Sequence, residues 1–390
     1  MNNFTFYNPT KIIFGKGELK KLDSLVPKNA RVLVLYGGGS VKKFGTLDTV
    51  LEELKKSKRD IFEFSGIEPN PKFETLMKAV EICRKENITF LLAVGGGSVM
   101  DGTKFVSIAV SATEFVGREK ELVYTGHNGI TLKSALPIGT VVTLPATGSE
   151  MNSGGVITLG KDKLAISNPL TFPLFSILDP TLTYTLPSTQ VANGIIDTFI
   201  HTIEQYVTYP VHATFQDRTS EGILKTMIEI GKETIDNPTN YDLRANLVWN
   251  SSMALNGLIG AGVPQDWSIH LLGHELTAVF GIDHAKTLAI VLPSLWRVRI
   301  KEKEAKLAQY AQRVWHITEG TTREKALKAI QKTEEFFNSL GISTKLSDYG
   351  VTEHQINEVV QGLIRHKFTN ISETGDLTPE VAKEIYLNSL

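Results

Sequence analysis

FLLAVGGGSVMDGTKFVSIAVS, residues 90–111, passes from an apolar run through three glycines into a segment with helical periodicity. A short apolar run without alternation suits a strand buried on both faces. Glycines at its end let the backbone approach an anion closely, and the start of the next helix offers free N–H groups to it. Strand, glycines, helix is therefore the order expected around a pyrophosphate. RVLVLYGGGS at 31–40 repeats the motif. Neither copy is the G-x-G-x-x-G dinucleotide fingerprint, and one GGGS alone reads as readily as a tight turn. Two copies on consecutive strands favour a nucleotide.

The rest of the first half extends this pattern. ALPIGTVVTLPAT (135–147) and FSIL (175–178) read as further strands. In LDTVLEELKKS (47–57) and FETLMKAVEICRKEN (73–87) apolar residues recur every three or four positions, as in amphipathic helices. Strands alternating with helices predict a parallel sheet covered on both faces. After about Leu186 the β-rich runs give way to long helical patterns, beginning with PSTQVANGIIDTFIHTIEQYVT. The fold class expected is an α/β N-terminal Rossmann-like dinucleotide-binding domain, residues 1–185, followed by an all-α C-terminal domain, residues 186–390. The charge run RVRIKEKEAK (297–306) reads as a solvated helix face.

Composition narrows the function. The 390 residues carry 41 basic and 42 acidic side chains, so no excess of positive charge points to nucleic acid or to an anionic membrane. A small molecule is the expected partner. The single cysteine, Cys83, excludes an internal disulfide and a cysteine-rich metal site, which suits a reducing compartment. The start MNNFTFYNPTKIIFGKG lacks a basic segment followed by an apolar run, and no run approaches the roughly 18 apolar residues that span a bilayer. The expectation is a cytoplasmic protein.

The first glycine loop bears on the choice of dinucleotide. NAD sites usually place a carboxylate at the end of this strand to hold the ribose hydroxyls. Here Gly37–Lys43 contains no acid and two lysines. Glycine N–H groups, the Ser40 hydroxyl and a lysine would accept a 2′-phosphate, which leans toward NADP(H). TLPATGSEMNSGG (143–155), dense in hydroxyls and glycines, could hold the nicotinamide ribose and amide, or could be a loop ending in a helix cap.

The second half offers metal ligands. Asp197 and His201 stand four apart in GIIDTFIHTIEQYV, so they share one helix face. His270 and His274 repeat that spacing in DWSIHLLGHEL, and His284 follows a glycine-containing turn. A carboxylate and several imidazoles suit Zn2+ or Fe2+. HLLGHE is not the H-E-x-x-H protease motif, because Glu275 follows the second histidine and no histidine lies three residues on. Any one of these histidines alone would be an ordinary buried or surface residue. Phe199, Leu258 and Trp267 are candidates for an apolar wall.

Taken together, PTKIIFGKGEL, EPNP (68–71), GGGSVMDGTK (95–104), LPATGSE (144–150) and GHELTAVFGIDHAKTLAIVLP (273–293) resemble the iron-containing (group III, metal-dependent) alcohol dehydrogenases. YGGGSVKKFG and GAGVPQDWSIHLLGHEL are most similar to the butanol-dehydrogenase-like branch of NADPH-dependent aldehyde reductases. The resemblance implies the dehydroquinate synthase-like architecture, with the site in the cleft between its two domains. It implies metal ligands at Asp197, His201, His270 and His284, with His274 beside them as a proton relay. It implies cofactor contacts at Gly38, Gly39, Ser40, Asn70, Gly96, Gly97, Ser98, Asp101, Thr143, Thr147, Ser149 and Lys163. The expected reaction is hydride transfer between NADP(H) and a small aldehyde or primary alcohol, with one divalent ion, in a homodimer. A glycerol or other polyol dehydrogenase using NAD, a dehydroquinate-synthase-like lyase and a non-catalytic nucleotide-binding module are the rivals.

Overall fold

The computed structural model describes residues 1–124 and 131–390. Tyr7–Leu186 with Pro238–Ser252 form one compact unit; Met1–Phe6, Pro187–Asn237 and Met253–Leu390 form the other.

The first unit is built on a parallel sheet of six strands. In chain order they are β1 (Lys11–Phe14), β2 (Arg31–Tyr36), β3 (Asp60–Phe64), β4 (Phe90–Gly95), β5 (Ile138–Val142) and β8 (Phe175–Leu178), arranged β1-β8-β5-β4-β2-β3. β6 (Gly154–Leu159) and β7 (Asp162–Ser167) make a separate antiparallel hairpin closed by Gly160 and Lys161. Alternate side chains of each strand point to opposite faces. Val32, Val34, Leu92, Val94 and Val141 pack with Leu47, Val50 and Leu54 of the helix Thr46–Lys55. Leu33, Leu35, Leu91, Ala93 and Val142 pack on the other side, with Leu76 and Val80 of Phe73–Lys85 and with Phe105 and Val106 of Gly97–Ser111. Both faces are covered, which is why the central strands read as unbroken apolar runs.

The sheet agrees with the expected α/β class, and the strands absent from the sequence reading have a common cause. β1 and β3 lie at the two edges and are partly exposed, so they lack the dense apolar run. The β6–β7 hairpin is a strand pair inside what reads as a glycine-rich loop. Its signal is the alternation of buried Gly155, Ile157 and Leu159.

Gly139 of β5 pairs with Phe175 of β8, and the Phe175 ring lies across it, stacked on Phe90 at 6.1 Å. An added Cβ would come within 2.8 Å of Phe175 Cε1 and nearer still to Cζ. Gly139→Ala should therefore destabilise the protein by about 1–3 kcal/mol through overpacking. Urea unfolding of the full-length variant against wild type measures this, and an unchanged midpoint would show that the ring moves freely.

Pro238–Ser252 belongs to the first unit through particular contacts. Ser252 Oγ donates to the buried Glu150 carboxylate, and the Trp249 ring meets Phe14 edge-on at 5.9 Å.

The second unit is helical. Among the described residues no helix is long and apolar enough to cross a membrane. The charge run 297–306 departs from its expected solvated face. Lys303 is buried and donates to Asp266, Glu373 and the Val207 carbonyl at 2.6–3.0 Å. Lys306 donates to both oxygens of Asp217 at 2.7 Å, and Arg299 to Asp376 at 2.6 Å. Sequence spacing cannot disclose these partners because the carboxylates come from distant segments. Buried cations persist only where such partners exist.

Candidate metal centre and nucleotide loops

Asp197 and His201 project from the helix Ser188–Tyr206, whose inner face is apolar through Ile195, Ile196, Phe199, Ile200 and Ile203. His270 and His274 sit on the helix Ser268–Phe280, which stops at Gly281 in the left-handed conformation (φ 68°). That turn returns the chain so that His284 opens the helix His284–Val298. Gly273 lets the last two helices approach closely: a Cβ there would stand 2.9 Å from Thr287 Oγ1.

Three imidazole nitrogens face one carboxylate oxygen. Asp197 Oδ1 lies 3.6 Å from His201 Nε2, 3.6 Å from His270 Nε2 and 3.7 Å from His284 Nε2. These separations are too long for hydrogen bonds. They match the donor–donor edges of roughly 3.4 Å that a tetrahedral ion with bonds near 2.0–2.1 Å requires. Donor atoms of Asp197, His201 and His270 all lie within 4.8 Å of one another, on three buried residues. Asp197 Oδ1 and His270 Nε2 are buried and make no hydrogen bond. Polar atoms left in that condition are costly unless a further group binds them. Asp197, His201 and His270 therefore fit a divalent ion, and His284 Nε2 faces the same carboxylate oxygen from the third helix.

Electrostatics agree with the geometry. Burial pushes the Asp197 carboxyl up, but the imidazoles of His201, His270 and His284 outweigh it and hold the group well below the usual carboxylate range. Burial lowers the His270 imidazole, but Glu204 and Asp197 outweigh it and raise its pKa to about 9. Burial also raises Glu204, against the pull of His270.

The His274 ring lies 5.1 Å from that of His284 and 6.0 Å from that of His270. Trp267 stands 5.6 Å from His270 and 6.2 Å from His201. Phe199 does not join them: it is fully buried against Phe336 and Phe337, because its helix turns it toward the core. Sequence reasoning missed Glu204, which receives both the backbone N–H and Nδ1 of His270. Its spacing, seven residues beyond Asp197 on the same face, was the available signal.

In the first unit the two glycine loops differ. Gly97 opens the helix Gly97–Ser111, and a Cβ there would meet Thr147 Oγ1 at 2.7 Å, so fold packing alone demands glycine. Gly38 and Gly39 follow β2, and a Cβ on either would meet nothing within 4 Å; Gly39 has φ 110°. Ser40 is exposed beside them. The space beside both glycines is open.

Ser98 Oγ accepts the N–H of Asn70 at 3.3 Å, and Thr143 donates its N–H to Gly95 O at 3.0 Å. Asp101 accepts from Ser149 Oγ at 2.7 Å and from Val156 N–H at 2.9 Å, so both its oxygens are engaged within the protein. Ser149 in turn donates its N–H to Thr147 Oγ1 at 3.2 Å. Lys163 lies on β7, close enough for its charge to act on Asp101. Lys104, also missed, is fully buried and donates to Ser149 Oγ, Asn152 Oδ1 and Gly154 O at 2.6–3.0 Å. Burial lowers its pKa to about 8 against the pull of Asp101 and Glu150. The loop 147–154 is thus pinned from beneath by one lysine.

Comparison with known proteins gives a consistent result. Residues 9–180 match the iron-containing alcohol dehydrogenase family, and residues 191–386 match its C-terminal counterpart. The NADPH-dependent aldehyde reductase YqhD of Escherichia coli is 54% identical over 389 residues, 99% of either chain. A probable NADH-dependent butanol dehydrogenase of Bacillus subtilis is 42% identical over 92% of each. The crystal structure of Escherichia coli YqhD superimposes with a TM-score of 0.97, covering 100% of this chain and 99% of that one at 53% identity.

Proposed function

We infer that the chain, which belongs to the iron-containing alcohol dehydrogenase family, interconverts small aldehydes and primary alcohols such as butanal and butanol by hydride transfer with NADP(H). The observation that carries this reading is the convergence of three imidazole nitrogens on Asp197 Oδ1 at 3.6–3.7 Å. A relative more than half identical over the full length is an NADPH-dependent aldehyde reductase, which supports the choice of cofactor.

In this reading Asp197, His201, His270 and His284 hold one ion, Zn2+ or Fe2+, whose ligand preferences both suit imidazole and carboxylate. Bound there, the ion supplies Lewis-acid polarisation of a carbonyl oxygen. Gly96, Gly97 and Ser98 receive the pyrophosphate at a helix N-terminus. Gly38, Gly39 and Ser40 leave room for the 2′-phosphate. Asn70, Thr143, Thr147, Ser149 and Lys163 complete the cofactor set, with Asp101 holding Ser149 in place. His274 delivers the proton to the alcohol oxygen. Trp267, beside His201 and His270, keeps bulk water from the reacting carbonyl. Residues 1–185 thus carry the cofactor and 186–390 the metal. The protein works as a homodimer in the cytoplasm, where its one cysteine, the buried Cys83, stays reduced.

The test is NADPH oxidation with butanal, before and after chelation, set against NAD+ reduction with glycerol. Butanal turnover that disappears on chelation and returns with Zn2+ or Fe2+ is the expected result. Turnover untouched by chelation, or faster with glycerol and NAD+, refutes the reading.

A further inference from the structure

The Glu204 side chain is completely buried, and both its oxygens engage one residue of the neighbouring helix. Oε1 accepts the His270 backbone N–H at 3.0 Å, and Oε2 pairs with His270 Nδ1. The Glu204 carbonyl also accepts the N–H of Asp266 at 2.8 Å. Burying a carboxylate is costly unless it is fully hydrogen-bonded. An apolar residue would fit the inner face of Ser188–Tyr206 without that cost. The carboxylate therefore has a task that an apolar side chain could not perform.

That task follows from the chemistry of imidazole. A neutral ring carries one proton, and a carboxylate at Nδ1 draws it there, leaving the lone pair on Nε2. Nε2 is the nitrogen that faces Asp197 Oδ1 at 3.6 Å and has no hydrogen-bond partner. Oε1 adds a second restraint by accepting an N–H from the first turn of Ser268–Phe280, where backbone donors lack helical partners. One side chain thus fixes the tautomer of a donor and the placement of the helix that bears it. Positions 197, 201 and 204 fall on one face, so the helix presenting two donors also carries the clamp for a third. With both oxygens engaged on His270, Glu204 is no ligand itself.

We propose that Glu204 is a positioning residue of the metal centre, setting metal affinity by holding His270 with its proton on Nδ1 and its Nε2 lone pair toward Asp197. This rests on the reading of Asp197, His201, His270 and His284 as the ligands.

The test uses the full-length protein stripped of metal and titrated with Zn2+ against a chelating dye. Wild type is compared with Glu204→Gln, Glu204→Asp, His270→Ala and the double variant Glu204→Gln/His270→Ala, with far-ultraviolet circular dichroism as the check on folding. Glutamine keeps the shape of Glu204, but an amide N–H turned toward Nδ1 favours the wrong tautomer. Glu204→Gln should bind Zn2+ about 10–100-fold more weakly. In the Co2+-loaded protein it should also shift the visible ligand-field bands. Glu204→Asp restores the acceptor and should recover part of the affinity. In the His270→Ala background Glu204→Gln should have no further effect.

Wild-type Zn2+ affinity and Co2+ bands in Glu204→Gln, beside a weakened His270→Ala, overturn the proposal alone. So does an equal loss from Glu204→Gln in both backgrounds, because Glu204 would then act otherwise than through His270. Undiminished Zn2+ binding by His270→Ala overturns the ligand reading and this proposal with it.

Discussion

Asp197→Asn should give a folded protein that still binds NADPH, retains no metal through purification, and turns over butanal at least about a thousandfold more slowly. That factor corresponds to about 4 kcal/mol of transition-state stabilisation, within the several kcal/mol ascribed to a Lewis-acid ion. Asn has nearly the volume of Asp, so the packing of this buried position is kept, and the loss is one of charge. Asp197 Oδ1 is the carboxylate oxygen that stands 3.6–3.7 Å from the Nε2 atoms of His201, His270 and His284. Elemental analysis, NADPH fluorescence titration and NADPH oxidation are the three measurements. Metal at wild-type stoichiometry in the variant would remove Asp197 from the ligand set.

The same centre predicts how metal uptake depends on pH in the wild type. In the metal-free protein His270 keeps its second ring proton up to a pKa of about 9. A ligand nitrogen must be deprotonated, so metal entry releases that proton at any pH below about 9. The Asp197 carboxyl, held well below the usual range, is already ionised and contributes no pH dependence near neutrality. Apparent Zn2+ affinity should therefore climb with pH from 6 to 9, by up to about tenfold per unit for the single proton, and then level off. A chelator-dye titration repeated across that range reads this directly, and a flat profile would contradict it.

The contrast between Glu204 and the ligand candidates shows what a sequence discloses about such a site. Asp197 with His201, and His270 with His274, stand four apart, and helical periodicity alone puts each pair on one face. Nothing local says that Asp197 meets His270, seventy-three positions on; that depends on how two helices pack. Glu204 sits on the Asp197 face two turns on, yet a lone glutamate in EQYV looks like an ordinary solvated charge until His270 is placed against it. Lys104 is missed, and Lys303 and Lys306 read as part of a solvated face, for the same reason. Each is buried because partners arrive from segments distant in sequence. In the sheet, the doubly covered central strands β2, β4, β5 and β8 show as apolar runs. Edge strands β1 and β3 do not, because half their surface faces solvent. Burial on two faces leaves a strong mark on composition. Burial on one face shows only as periodicity, which a short edge strand barely displays, and a buried charge leaves no mark unless its partner is close in sequence.

Gly38→Asp should turn the cofactor preference toward NADH. It should lower the ratio of kcat/KM for NADPH over NADH by about 100-fold or more, because a carboxylate set against a phosphate costs several kcal/mol. The loop permits this substitution on steric grounds. A Cβ on Gly38 would meet nothing within 4 Å, and Gly38 lies outside the left-handed region that Gly39 occupies at φ 110°. The strand beneath, Arg31–Tyr36, is unaffected because Gly38 is exposed beyond its end. Aspartate at this place would also give the ribose hydroxyls the acceptor that NAD sites commonly provide. Two opposite effects are thus expected from one side chain: a higher KM for NADPH and a lower one for NADH. Lys42 sharpens the test. Its Nζ stands 5.1 Å from the Tyr36 ring centre and 4.0 Å from Glu63, on the helical turn that begins at Ser40. Lys42→Ala should weaken NADPH alone, since only the 2′-phosphate needs a cation there. A parallel loss for both cofactors would mean that the lysine holds the loop through Tyr36 and Glu63. If Gly38→Asp left the NADPH to NADH ratio unchanged, the 2′-phosphate would have to lie elsewhere, and Gly38, Gly39 and Ser40 would be no more than a tight turn.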